Sequence, residues 1–86
     1  MTDEKYEQYA ETCRLGLAFT LAIQAAMKRR KMSRADLARR IGCSNAHVTQ
    51  TLSGAPNVTL ATLVKFGRAC GMRWKVSAMP AWKGAP

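Results

Sequence analysis

The stretch Ser33–Gly54, SRADLARRIGCSNAHVTQTLSG, constrains the fold of this chain more than any other. Ser33, with Asp36 three residues on, is a variant capping box that opens a short helix. Leu37, Ala38 and Ile41 form that helix's buried stripe. Gly42 tolerates the positive φ of a tight turn and ends it. Ser44 caps a second helix, which Val48 and Leu52 anchor inward and Gly54 ends. That second helix carries small polar residues where a wholly buried helix would carry apolar ones.

The flanks are less determined. Thr2, followed by Asp3 and Glu4, suits a helix start. From there to Met27 almost every residue favours a helix, with Gly16 marking a bend or break. Phe19, Ile23, Ala26 and Met27 recur at helical spacing and can face a core. Ala10, Cys13, Leu17 and Leu21 lie roughly opposite. A surface helix needs only one apolar face. The second stripe therefore wants a cover, either the chain itself or another subunit. Lys28–Lys31 complements the helix's negative end or touches phosphate.

Further along, Ala55-Pro56-Asn57 reads as a loop and Thr59 as the cap of a fourth helix. Leu60, Leu63, Val64, Phe66 and Cys70 are its apolar positions, Gly67 a point of close helix approach, and Gly71 its end. Met72, Trp74, Val76 and Ala78 then alternate with Arg73, Lys75, Ser77 and Met79, a strand pattern. A lone strand leaves backbone groups unpaired, so the sequence points to pairing with a second copy. The alternative is an extended arm packed on the helices by Trp74. Both tryptophans suit packing better than nucleotide stacking. Residues 1–79 thus read as one domain, with motif 33–54, a helical extension over 3–16, a strand over 72–79 and a tail over 80–86.

The 86-residue chain carries a formal net charge of +9, unevenly spread. Residues 1–11 hold four acids against Lys5, and beyond them Asp36 is the only acid. A basic body with an acidic head suits a polyanionic partner. No run of apolar residues is long enough for a membrane span, and no signal peptide fits. Cys13, Cys43 and Cys70 are widely spaced and suit reduced thiols in a cytoplasmic protein. His47 is the only histidine and no C-x-x-C pair exists, so neither a metal site nor a cofactor is expected. No nucleophile–base pair or phosphate-cradling loop is visible, so no enzyme is expected.

Two short helices joined by a glycine turn, the second polar on its outer face, match a helix-turn-helix. There the second helix enters the major groove and the first braces on the DNA backbone. Ala38, Gly42 and Val48 fill the packing roles. At these residues, and in the following NVTLATLVKFGRACGM, the chain resembles the phage lambda repressor and Cro-like helix-turn-helix family, which includes bacterial regulators and antitoxins. The resemblance covers about residues 17–72. It implies an all-α, lambda-repressor-like bundle of four to five helices, here with an extended N-terminal helix and a short C-terminal β-strand.

The resemblance also implies residue roles. Arg34 would contact phosphate and support a base-reading partner. Ser44 would cap the recognition helix and bond the DNA backbone. Asn45, Ala46 and His47 would enter the groove first, Thr49 and Gln50 would reach bases or sugar-phosphate, and Ser53 and Asn57 would bind the second strand. Thr51 departs from the family pattern, standing where an apolar residue is common. Leu17, Leu21, Trp74 and Val76 are the candidate dimer contacts.

The expected function is a dimeric, sequence-specific transcriptional repressor, serving autoregulation or a phage or mobile-element operon. Its partner would be double-stranded operator DNA with two half-sites. An antitoxin of the same fold, with a toxin as second partner, and a protein-binding anti-activator are the alternatives.

Overall fold

The computed structural model describes residues 3–53 and 58–80. Four helices follow one another: α1 (Asp3–Arg29), α2 (Arg34–Ile41), α3 (Asn45–Leu52) and α4 (Leu60–Ala69). Thr2, Gly54, the 55–57 loop and the 81–86 tail, all assigned from sequence, lie outside the described residues.

The sequence places both ends of α2 correctly. Ser33 Oγ accepts the Asp36 N–H at 3.0 Å, and the Asp36 carboxylate accepts the Ser33 N–H at 3.0 Å. Together they satisfy two of the donors that a helix start leaves open. At the other end Gly42 adopts φ 82°, and the Gly42 and Cys43 amides both donate to the Ala38 carbonyl. α4 ends alike, with Gly71 at φ 73° and Met72 N–H donating to the Gly67 carbonyl at 2.7 Å. α1 uses the same closure without a glycine. Lys31 takes φ 53°, and the Met32 N–H reaches back to the Met27 carbonyl at 2.9 Å. Nothing in a four-cation run announces a left-handed residue.

All four helices meet in one apolar core. Ile23, Ala26 and Met27 come from α1, Leu37 and Ala38 from α2, Val48 and Leu52 from α3, Leu63 and Phe66 from α4, and Cys70 from its cap. Phe19, placed in the core by its spacing, is half-buried against it. Thr20 is buried as well, its hydroxyl satisfied by the Leu17 carbonyl at 3.0 Å. Thr51 is likewise buried, so the inner face of α3 is closed to solvent despite its hydroxyl.

Three expectations are corrected. α1 runs unbroken through Gly16, because the helix on either side supplies ample propensity. Gly67 admits an indole rather than a helix: a Cβ there would stand 2.6 Å from Trp74 Nε1. The strand over 72–79 does not form, and no β-strand occurs among the described residues. The segment has no regular secondary structure, and Trp74 ties it to its own helices. The indole N–H donates to the Leu63 carbonyl at 2.6 Å, and its ring stands edge-on to Phe19, centroids 5.1 Å apart. Alternation in the sequence records two side chains turned inward, Met72 and Trp74, and Val76 beyond them is 83% exposed.

Candidate nucleic-acid interface

α3 presents two chemically different faces. Val48, Thr51 and Leu52 are buried, while Asn45, Ala46, His47, Thr49 and Gln50 are exposed. At about 100° per residue, Ala46, Thr49, Gln50 and the following Ser53 share the outward side, with Asn45 and His47 on its flanks. This exposed face has no charged side chain. It offers two amides, hydroxyls and methyl groups, held on a helix whose other side is locked in the core.

Four side chains hold α3 in place. Ser44 Oγ accepts the His47 N–H at 3.1 Å and caps the helix start. Gln24, from α1, donates to the Leu52 carbonyl at 3.4 Å at the other end. Arg34 Nη1 donates to Thr49 Oγ1 at 3.2 Å, joining the first residue of α2 to the outer face of α3. Ser53 Oγ donates to the Gln50 carbonyl at 2.6 Å and turns the chain off the helix. His47 leans toward the buried Phe66, ring centroids 6.3 Å apart, on the α4 side. Of the sequence-assigned site, these residues converge on one surface. Asn57 lies outside the described residues.

The charges near the motif are largely engaged with the protein itself. Arg39 pairs with Asp36. The Ser33 backbone and hydroxyl hydrogen bonds, with a smaller effect of Arg39, hold the Asp36 carboxyl below its usual range. Arg40 Nη1 donates to the Ala69 carbonyl at 3.3 Å, at the negative end of α4. Arg30 packs its guanidinium over Gly71 at the same end. Burial raises the pKa of the Cys70 thiol between them, against the pull of both arginines, so it stays a protonated core group. Arg34 is the cation placed against the outer face of α3.

Sequence reasoning missed the bonds that Gln24 and Arg40 make. Each acts through a carbonyl nearly thirty residues away in the chain, a pairing that no local pattern carries. The three cysteines are free, and no cluster of metal-ligating side chains occurs among the described residues. Nor, among those residues, is any helix long and apolar enough to cross a membrane.

The family model of the Cro/C1-type HTH DNA-binding domain matches residues 22–74. That span is more than half of the chain, and the chain belongs to this family. It runs from the second half of α1 to Trp74, so the indole anchor closes the shared domain while Asp3–Leu21 stands outside it. No curated protein and no solved structure matches the chain. The chain thus carries a DNA-binding domain.

Proposed function

We propose that the protein is a sequence-specific transcriptional repressor that binds operator DNA as a homodimer in the cytoplasm, without catalysis or cofactor. The observation that carries the reading is the outward face of α3: exposed, uncharged, rich in amides and fixed at both ends.

Asn45 and Gln50 carry the amide geometry that bonds adenine bidentately, and the methyl groups of Ala46 and Thr49 suit the thymine methyl. Arg34 grips a phosphate while orienting Thr49. Ser44 can donate its hydroxyl proton to the DNA backbone while its oxygen caps the helix. His47, leaning toward α4, serves the groove edge rather than its floor. Ser53 meets the second strand. Occupying a promoter is the mechanism that such a DNA-reading face supports by itself.

Selection of bound fragments from random DNA tests this. The expected product is a pair of symmetric half-sites about one helical turn, roughly 34 Å, apart. Enrichment of no sequence over any other would remove the specific repressor. A single unpaired half-site would remove the dimer and leave DNA binding.

A further inference from the structure

The first half of α1 is unexplained by the domain it serves. α1 has 27 residues, about 40 Å at 1.5 Å each, and only its second half supplies core residues. Asp3–Tyr9 are all exposed, with Tyr6 at 64% and Tyr9 at 57%. Turns of helix extending beyond their support are marginal in water.

The outer face of the second half is equally unusual. From Leu15 to Met27 there is no charged residue. Leu17 and Leu21 are 53% and 54% exposed, and Ala18 and Ala25 beside them are exposed and small. A helix lying on a domain normally turns polar groups to solvent. Here Asp3, Glu7, Ala10, Leu17, Leu21 and Lys28 recur on one seam that runs the whole length, with Arg14 and Gln24 completing its spacing of three and four.

We propose that α1 pairs antiparallel with α1 of a second copy of this chain along that seam. Charge decides both occupant and direction. The acidic turns, Asp3, Glu4, Glu7 and Glu11, sit at one end and the Lys28–Lys31 cations at the other. A parallel pair sets acids against acids and cations against cations. An antiparallel pair, with its two-fold axis beside residues 15–16, sets Asp3 of each copy beside Lys28 of the other. The same register sets Ala10 against Leu21, small against large, and Leu17 beside the aliphatic stem of Arg14 of the other copy, with the two Leu17 side chains flanking the axis. The acidic head of an otherwise basic chain then has a function: it receives the cationic end of the second copy. This rests on the dimer of the proposed function and adds its surface and its orientation.

The test is sedimentation velocity on the full chain, joined to disulfide trapping. The wild type is expected to be dimeric at low micromolar concentration, and Leu21→Glu to weaken it by at least about tenfold, or 1.4 kcal/mol. Lys28→Glu weakens the dimer at low salt, and adding Asp3→Lys to it restores the dimer. In a chain with Cys13→Ser and Cys43→Ser, an Ala10→Cys chain mixed with a Leu21→Cys chain forms a mixed disulfide. A monomeric wild type, a dimer indifferent to Leu21→Glu, or Ala10→Cys trapped only with itself each overturns the proposal. The trapping result stands even if Leu21→Glu misfolds. Dimers split by Leu21→Glu but blind to every DNA would sink the repressor and keep the interface. Specific DNA binding by dimers that ignore Leu21→Glu would do the reverse.

Discussion

α1 and α3 both bury one face in the same core and leave the other open, but what they leave open is opposite in kind. α3 exposes amides, hydroxyls and methyls on a helix that Ser44, Gln24 and Arg34 hold still. α1 exposes leucines and alanines along one half and an acidic, tyrosine-bearing projection along the other. A rigid hydrogen-bonding surface suits a partner that is itself a fixed array of donors and acceptors. An apolar seam with charge at its ends suits another helix. The family match follows this division, since it takes in the core-forming half of α1 and omits the projecting one.

The division breaks first where the two helices share a function, in the core. Ile23 of α1 and Val48 of α3 are both fully buried. Ile23→Ala should cost about 2–5 kcal/mol of folding stability, because the removed carbons leave a cavity. DNA binding should fall with it, since α3 has lost its platform. Thermal unfolding and binding measured side by side check this, and a stable variant that still loses DNA would place Ile23 in recognition instead.

On the open face of α3 the two readouts should separate. Gln50→Ala or Asn45→Ala should cost about 1–3 kcal/mol on the selected site and relax base choice there, with thermal stability nearly unchanged. If both variants keep full affinity and selectivity, the amides do not read bases. Arg34→Ala should instead weaken binding to all sequences and reduce the salt slope by about one phosphate contact. A slope identical to wild type would leave Arg34 only its bond to Thr49.

The same contrast explains what could be read from the sequence. α2 and α3 were legible because their signals are local. Ser33 with Asp36, Gly42 and Ser44 each act within a few residues of their own position, and the structure returns each bond. The apolar stripe Leu37–Ala38 and the anchors Val48 and Leu52 followed from period alone. The C-terminal segment was misread because alternation is a necessary sign of a strand but not a sufficient one. What decided it was one long-range bond, Trp74 to Leu63, and the ring of Phe19, both invisible to a local pattern. The tie from Gln24 to Leu52 was hidden for the same reason, while the exit of α1 through Lys31 is local but has no glycine to mark it.

Lys31 gives a smaller test at the junction between the two regions. It holds a left-handed φ without being glycine, and its backbone closes α1 just before α2 opens. Lys31→Gly relieves that conformation, and the extra freedom it gives the unfolded chain offsets part of the gain. A net stabilisation of about 0.5–1 kcal/mol should appear in denaturant midpoints with an unchanged slope. Destabilisation would mean that the lysine side chain contributes more than its strained backbone costs.

The smallest effect separates the acids of the two regions by pH. Asp36 lies in the cap of α2, while Asp3, Glu4, Glu7 and Glu11 ride on the projecting turns of α1. The Ser33 hydrogen bonds, aided by Arg39, depress the Asp36 pKa in the folded chain below its ordinary 3.8. A depressed carboxyl contributes stability that is fully present above its unfolded value and lost as pH falls through its folded value. Wild type should therefore lose this contribution only in acid, below about the ordinary value. Asp36→Asn keeps an oxygen that can accept the Ser33 N–H but has no proton to gain. The difference in melting temperature between the two chains should be largest near neutral pH and shrink toward strong acid. Both chains carry the same α1 acids, so the difference isolates Asp36. A gap that stays constant from neutral pH into strong acid would mean that the Asp36 charge adds nothing to the cap beyond its hydrogen bond.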